Sequence, residues 1–241
     1  MFGLGTLINC AAIVAGGLLG ALFGKLLKEK HRDALGKICG VAVLFIGITG
    51  ALEGMLTVEG GAITSGGGML LVISLAVGGL IGELLDIEGG FERFGEWLKR
   101  KTGNAKDKQF VEGFVTASLT VCIGAMAIVG ALKDGLEGDV SVLVTKAVLD
   151  FIIVLALTGT LGKGCGFSAL PVAILQGSVT ALSVVVKPIM TEAALANLST
   201  VGSVLIFCVG VNLVWGKTIR VANLLPSILI AAAMAFLPFA L

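Results

Sequence analysis

Residues 140–161 read VSVLVTKAVLDFIIVLALTGTL. A helix rises 1.5 Å per residue, so this stretch is about 33 Å long and matches a hydrocarbon core of about 30 Å. Its only charged residues are Lys146 and Asp150, close to its middle. The segment is a membrane span that carries two charges at depth. Both facts shape the reading of everything around it.

The composition agrees. The chain has 241 residues, 56% of them apolar and 36 of them glycine, against 14% charged. Mean hydropathy is +1.05. A soluble domain of this length needs about 25% charged residues to cover its surface. That class is excluded, and disorder and disulfide-rich secreted scaffolds go with it. The expected fold is an all-α polytopic membrane protein forming a single integral membrane domain over residues 1–241.

Eight spans are expected, near 3–24, 38–56, 69–87, 110–132, 140–161, 167–188, 200–215 and 223–241. The only break between the fifth and sixth is Gly162-Lys163-Gly164-Cys165-Gly166. A bent re-entrant element there would reduce the count to seven, because a Gly-rich turn cannot stay exposed in lipid. With eight spans, 14 of the 17 basic residues fall on one side. They are Lys25, Lys28, Lys30, Arg32 and Lys37 in the first loop, and Arg93, Lys99, Arg100, Lys101, Lys106 and Lys108 in the second. Lys163 follows in the third, with Lys217 and Arg220 in the fourth. Basic loops stay cytoplasmic, so both termini are expected outside. No cleavable signal peptide is expected, since the first basic residue, Lys25, follows the first apolar run instead of preceding it.

Residues 48–82 align with 128–162 without gaps, with ten identities in the 35 positions, among them Gly50/Gly130, Ala51/Ala131, Gly79/Gly159 and Gly82/Gly162. Spans 2–3 and 4–5 are therefore expected to be duplicated two-helix hairpins. Gly16-Gly17-Leu18-Leu19-Gly20 also echoes Gly78-Gly79-Leu80-Ile81-Gly82. Glycines spaced by four let helix backbones approach closely in lipid, within one chain or in a homo-oligomer. In the cytoplasmic segment 88–109, Phe91, Phe94, Trp97 and Leu98 share a helical face flanked by Arg93, Lys99, Arg100 and Lys101. This stretch is expected to lie on anionic membrane lipid.

Polar groups inside spans are the costly ones, at about 2.5–3.5 kcal/mol per mid-span charge. Lys146 and Asp150 stand at i and i+4, where two side chains can pair. Thr116 and Thr120 follow Glu112 along one face of span 4, and Gln176 and Thr180 lead a polar stripe in span 6. Asn9 in span 1 and Asn212 in span 7 complete the candidate set. A single hydroxyl in a helix commonly bonds its own backbone; convergence of Thr120, Asp150, Gln176 and Thr180 on one depth is what distinguishes these. Lys133–Asp139 reads as an acidic, solvated outer loop.

Enzymatic chemistry finds no support. Gly210–Thr218 has one residue too many for a phosphate-binding loop, and Gly166-Phe167-Ser168-Ala169-Leu170 lacks the last glycine of a nucleophile elbow. The sole histidine, His31, lies in a basic loop, and the five cysteines lack metal-ligand spacing. No cofactor or metal is expected, and the net charge of +1 argues against a nucleic-acid partner.

The run Ala117-Ser118-Leu119, Gly124-Ala125-Met126-Ala127-Ile128-Val129-Gly130, Asp134-Gly135 and Gly138-Asp139, followed by Lys146 and Asp150, resembles the YqgA/YdfK-like family of bacterial inner-membrane proteins. Gly5-Thr6-Leu7-Ile8-Asn9 with Gly16-Gly17 fits it as well. The resemblance implies a multi-pass protein of the bacterial plasma membrane and, the family being one of unknown function, no substrate. Two functional readings remain. One is a transporter or channel for a small solute or ion with Asp150 at its centre, and as the carrier if protons are coupled. The other is a non-transporting scaffold or sensor that reads lipid or partners.

Overall fold

The computed structural model describes residues 3–26 and 28–237 and is built almost entirely of helices. Helix α1 (Leu4–Leu26), α2 (Glu29–Met55) and α3 (Gly68–Leu85) are followed by α4 (Ile87–Lys101). Next come α5 (Phe110–Cys122), α6 (Ala125–Glu137), α7 (Ser141–Leu161), α8 (Ala169–Ala181) and the short α9 (Ser183–Val186). Helices α10 (Glu192–Trp215) and α11 (Pro226–Met234) end the described chain. Two 3-10 segments, Lys163–Ser168 and Val221–Leu224, lead into α8 and α11.

Among the described residues six helices are long and apolar enough to cross a membrane, or seven if the bent pair α5–α6 counts as one span. Helix occupies most of each expected span within the described residues, but six or seven of the eight meet that test. The span expected at 110–132 is broken at Ile123-Gly124, and its halves make an angle of 62°. The break falls at a glycine with φ +134°, a conformation that disfavours any residue with a Cβ. The span expected at 223–241 is a shorter apolar helix, Val221–Met234, and residues 238–241, including Pro238, lie outside the described residues. The span at 200–215 starts earlier, at Glu192. Thr191 caps it, accepting a hydrogen bond from the Ala194 backbone N–H.

Two connections differ from expectation. Leu56–Glu59 and Ala62–Ser65 form an antiparallel hairpin. Gly60 and Gly61 both take positive φ at its turn, the geometry a two-residue hairpin loop needs. The aligned residues 136–145 are helix end, turn and helix start, so the two proposed repeats diverge at their connection. Lys133–Glu137 is not loop but the last turn of α6. Asp134 is buried there, and its Oδ2 accepts from Gly5 N at 3.0 Å at the start of α1. A first-turn N–H has no partner within its own helix, so the carboxylate satisfies it.

The chain divides into two compact units. The first comprises Met1–Cys39, Gly89–Cys122 and Met126–Lys187, and the second Gly40–Glu88, Ile123–Ala125 and Pro188–Leu241. In the first, α1 lies along α7 with glycine at the contact. A Cβ on Gly16 would stand 2.6 Å from Phe151 O, and one on Gly20 2.5 Å from Leu155 O. Gly17 meets Gly166 of the 3-10 segment in the same way. In the second unit, Gly47 and Gly50 of α2 pack on Phe207 and Ser203 of α10, and Gly78 of α3 packs on Ser227 of α11. Packing of this kind replaces the hydrophobic drive that lipid removes. Leu18, Val72, Leu80 and Leu84 face outward, which suits hydrocarbon and not water.

Candidate functional site: a buried polar chain

The i, i+4 spacing on α7 places Lys146 and Asp150 on one face, and they meet: Lys146 Nζ is 2.5 Å from Asp150 Oδ2. Both are buried, at 6% and 3% exposure. Lys146 also donates to Val121 O at 2.8 Å. That acceptor exists because α5 ends one residue later. In an unbroken helix the Val121 carbonyl would accept from the N–H four residues on, so the break opens a carbonyl and the ammonium fills it. A cation at the C-terminal end of a helix is also favoured by the helix dipole.

Asn9 extends the chain from α1. Its Nδ2 donates to Asp150 Oδ2 at 3.0 Å and to Gln176 Oε1 of α8 at 3.3 Å. The carboxylate accepts only, so the Asn9 amide must present its nitrogen to it; the Gln176 amide must then present its oxygen to Asn9. Along Lys146–Asp150–Asn9–Gln176 donors and acceptors therefore alternate: Lys146 and Asn9 both donate to Asp150, and Asn9 donates also to Gln176. The polar chain ends on Gln176 Nε2, which is buried and unpaired, as are Asn9 Oδ1 and the Ser118 hydroxyl of α5. Buried polar groups without partners are uncommon, and ordered water is their usual complement.

The remaining candidates separate. Thr180 Oγ1 donates across to Ala131 O of α6 at 3.2 Å, joining α8 to the second half of the broken pair. Thr120 donates to the Thr116 carbonyl of its own helix at 2.8 Å, and Thr116 is half-buried. Their hydroxyl–backbone bond is the ordinary helical one. Asn212 belongs to the second unit, where its Nδ2 donates to Ile219 O and its Oδ1 accepts from Thr218 N and Ile219 N. It braces the 216–219 turn. No group of three or more His, Cys, Asp or Glu side chains that could hold a metal ion occurs among the described residues.

One ionic cluster, built around a buried glutamate, was missed at the level of sequence. Glu88, at the start of α4, is 2% exposed. Its Oε1 lies 2.7 Å from Lys217 Nζ, its Oε2 accepts from Ala222 N, and its own N–H donates to Asn223 Oδ1 at 2.7 Å. Beside it Arg220 binds Glu83 and Asp86 at the surface. The only sequence signal was an acidic triplet of positions, 83, 86 and 88, set against a basic pair, 217 and 220, some 130 residues apart. Helix α4 contains the expected amphipathic stretch 91–100 and starts four residues before it; Leu98 is buried, while Phe94 and Trp97 stack on one another and stay exposed.

Long apolar helices with buried charges, and apolar side chains turned outward, define an all-α integral membrane protein. The chain belongs to the family described as "Protein of unknown function (DUF554)", whose match spans residues 4–236. It is 30% identical to an "Uncharacterized membrane protein YdfK" of Bacillus subtilis (strain 168), over 96% of this chain and 95% of that one. It is 28% identical to an "Uncharacterized protein YqgA" of Escherichia coli (strain K12), over 96% of each. No solved structure gives a significant match.

Proposed function

We propose that the protein is a transporter or channel for a small solute or ion, without enzymatic activity, and that its site is the polar chain Lys146–Asp150–Asn9–Gln176. The observation that carries this reading is the pair of unsatisfied groups, Asn9 Oδ1 and Gln176 Nε2, at the end of a chain contributed by three helices. Helix packing alone is served by a closed network. An open acceptor and an open donor beside a discontinuous helix pair suit a site that exchanges partners, and discontinuous helices commonly line such sites. We place the protein in the bacterial plasma membrane, as its relatives' organisms suggest, with the basic loops cytoplasmic and both termini outside. In this arrangement the α5–α6 pair and the α11 region complete eight passes, and spans 2–3 and 4–5 descend from one duplicated hairpin. The close glycine-lined helix faces leave room for a homo-oligomer.

The rival reading, a scaffold or sensor, draws on the neutrality of the Lys146–Asp150 pair, which needs no ligand to balance it. Cysteine scanning from Lys146 to Thr158, in a background lacking the five native cysteines, separates the two. Reaction with a small water-soluble thiol reagent should recur every three to four residues on the Asp150 face. If that face stays uniformly unreactive while the ends of α7 react, transport is wrong. Flux that survives Asp150→Asn combined with Lys146→Met sinks it equally.

A further inference from the structure

The exit from α7 and the exit from α10 are built alike. Each helix ends in Gly-Lys, with Gly162 at φ 91°, ψ −172° and Gly216 at φ 86°, ψ 175°. Each then enters a 3-10 segment and a helix with proline in its first turn or just inside it, Pro171 or Pro226. The two lysines differ in their surroundings. Lys217 is held by buried Glu88, whereas Lys163 is exposed and has no carboxylate within ion-pair distance among the described residues. Asp107 borders a pocket of about 260 Å³ with Lys163, but its Oδ1 accepts from Gln109 N at 3.1 Å and it makes no ion pair with the lysine. In the first unit the lysine is a charge left without an ion-pair partner among the described residues.

That charge stands at the end of an apolar groove of about 860 Å³. Val14, Leu18 and Leu22 of α1 form one wall, and Phe167 and Leu170 the other. The groove follows α1 for eight residues, about 12 Å. Lys163 also borders Ala21 and Gly24, which sets it at the C-terminal end of α1, with the apolar wall running from there toward the middle of the span. Thr102 and Asn104 share the polar end, but the Thr102 hydroxyl donates to Leu98 O and the Asn104 amide donates to Thr102. Among the described residues lining the groove, the lysine is the one that carries a positive charge.

We propose that this groove holds an acyl chain of an anionic phospholipid whose phosphate rests on Lys163. The occupant is set by the pairing of one cation with a long apolar wall, and by the direction of that pairing: charge at the end of the span, hydrocarbon toward its middle. A soluble anion would leave the groove empty, and a zwitterionic lipid would bring a second cation beside the lysine that offsets its phosphate. One lysine near a membrane surface favours an anionic headgroup about fivefold.

Native mass spectrometry of the full chain in nonionic detergent, titrated with phosphatidylglycerol and with phosphatidylcholine of identical chains, tests this. Phosphatidylglycerol should bind at about fivefold lower concentration. Lys163→Gln should erase that preference and Lys163→Arg should keep it. Leu18→Trp, at an exposed position on the groove wall, should weaken both lipids. Equal binding of the two lipids overturns the proposal, as does a preference that survives Lys163→Gln. Indifference of both lipids to Leu18→Trp, or displacement of phosphatidylglycerol by excess glycerol phosphate, shows that the groove plays no part and overturns it too.

Discussion

Replacing Lys146 by methionine removes an ammonium that makes two buried bonds, to Asp150 Oδ2 and to Val121 O. The methionine fills similar space, so the loss is electrostatic. Val121 O is left without its cross-helix donor, and Asp150 keeps only the Asn9 amide. Removing one partner of a buried ion pair costs about 3–5 kcal/mol. In the double variant Lys146→Met/Asp150→Leu no charge is left behind. Asn9 Nδ2 retains Gln176 Oε1, so the residual cost is that of one unfilled carbonyl, about 1–3 kcal/mol. The double variant should therefore be more stable than either Lys146→Met or Asp150→Leu alone, with a coupling of about 3 kcal/mol or more. Thermal unfolding in detergent, followed by reaction of the five free cysteines with a thiol-reactive dye, gives the ranking. If the two single costs simply add in the double variant, the charges are not paired in the folded protein and the argument for the polar chain fails.

Two further perturbations test the frame around the site. Gly20→Val should separate α1 from α7 and cost about 1–3 kcal/mol or more, because the added Cβ meets Leu155 O, a backbone atom that cannot swing aside. Gly177→Ala on α8, where nothing lies within 4 Å of the new atom, should stabilise by about 0.5–1 kcal/mol, and the same unfolding assay reads both. Asp139, in the turn before α7, has its carboxyl held below its ordinary value of 3.8 by hydrogen bonds from Ser141, the backbone N–H first. A lowered folded-state value means that its contribution is complete above pH 3.8 and is lost as the pH falls toward the lower value. Asp139→Asn should flatten that acid limb of the stability curve while leaving neutral pH little changed, and an unaltered acid limb would refute the assignment.

What could be read from the sequence follows from how each signal is encoded. Apolar length is local, so helices emerged near the expected spans, though one is broken and the last is shorter, and Lys146 with Asp150 was legible because i, i+4 on one helix is a local relation as well. The pairing of Asn9 with Gln176 was half legible. Each stood out as a polar residue in a span, but which of the polar stripes converge depends on helix rotation, and the α1–α7 contact that fixes rotation is set by Gly16 and Gly20 meeting backbone across 135 residues. Thr116 and Thr120 illustrate the opposite outcome: same depth, same spacing, and a hydroxyl absorbed by its own helix.

The break between α5 and α6 was hidden because Gly124 sits among residues apolar enough to continue a span, and glycine in this chain more often marks close packing than a turn. Asp134 was misread as part of a solvated loop, and the role of Glu88 was not read at all, for a shared reason. Asp134 follows Lys133 and Glu88 opens a segment rich in charges, where solvent is the ordinary expectation, yet each supplies a carboxylate to the open N–H groups at the start of another segment, Gly5 for one and Ala222 for the other. A helix start buried inside a membrane protein must find an acceptor somewhere. The acceptor's address is not written near the helix it serves, and it is these remote carboxylates, more than the span count, that tie the turns of each unit to its helices.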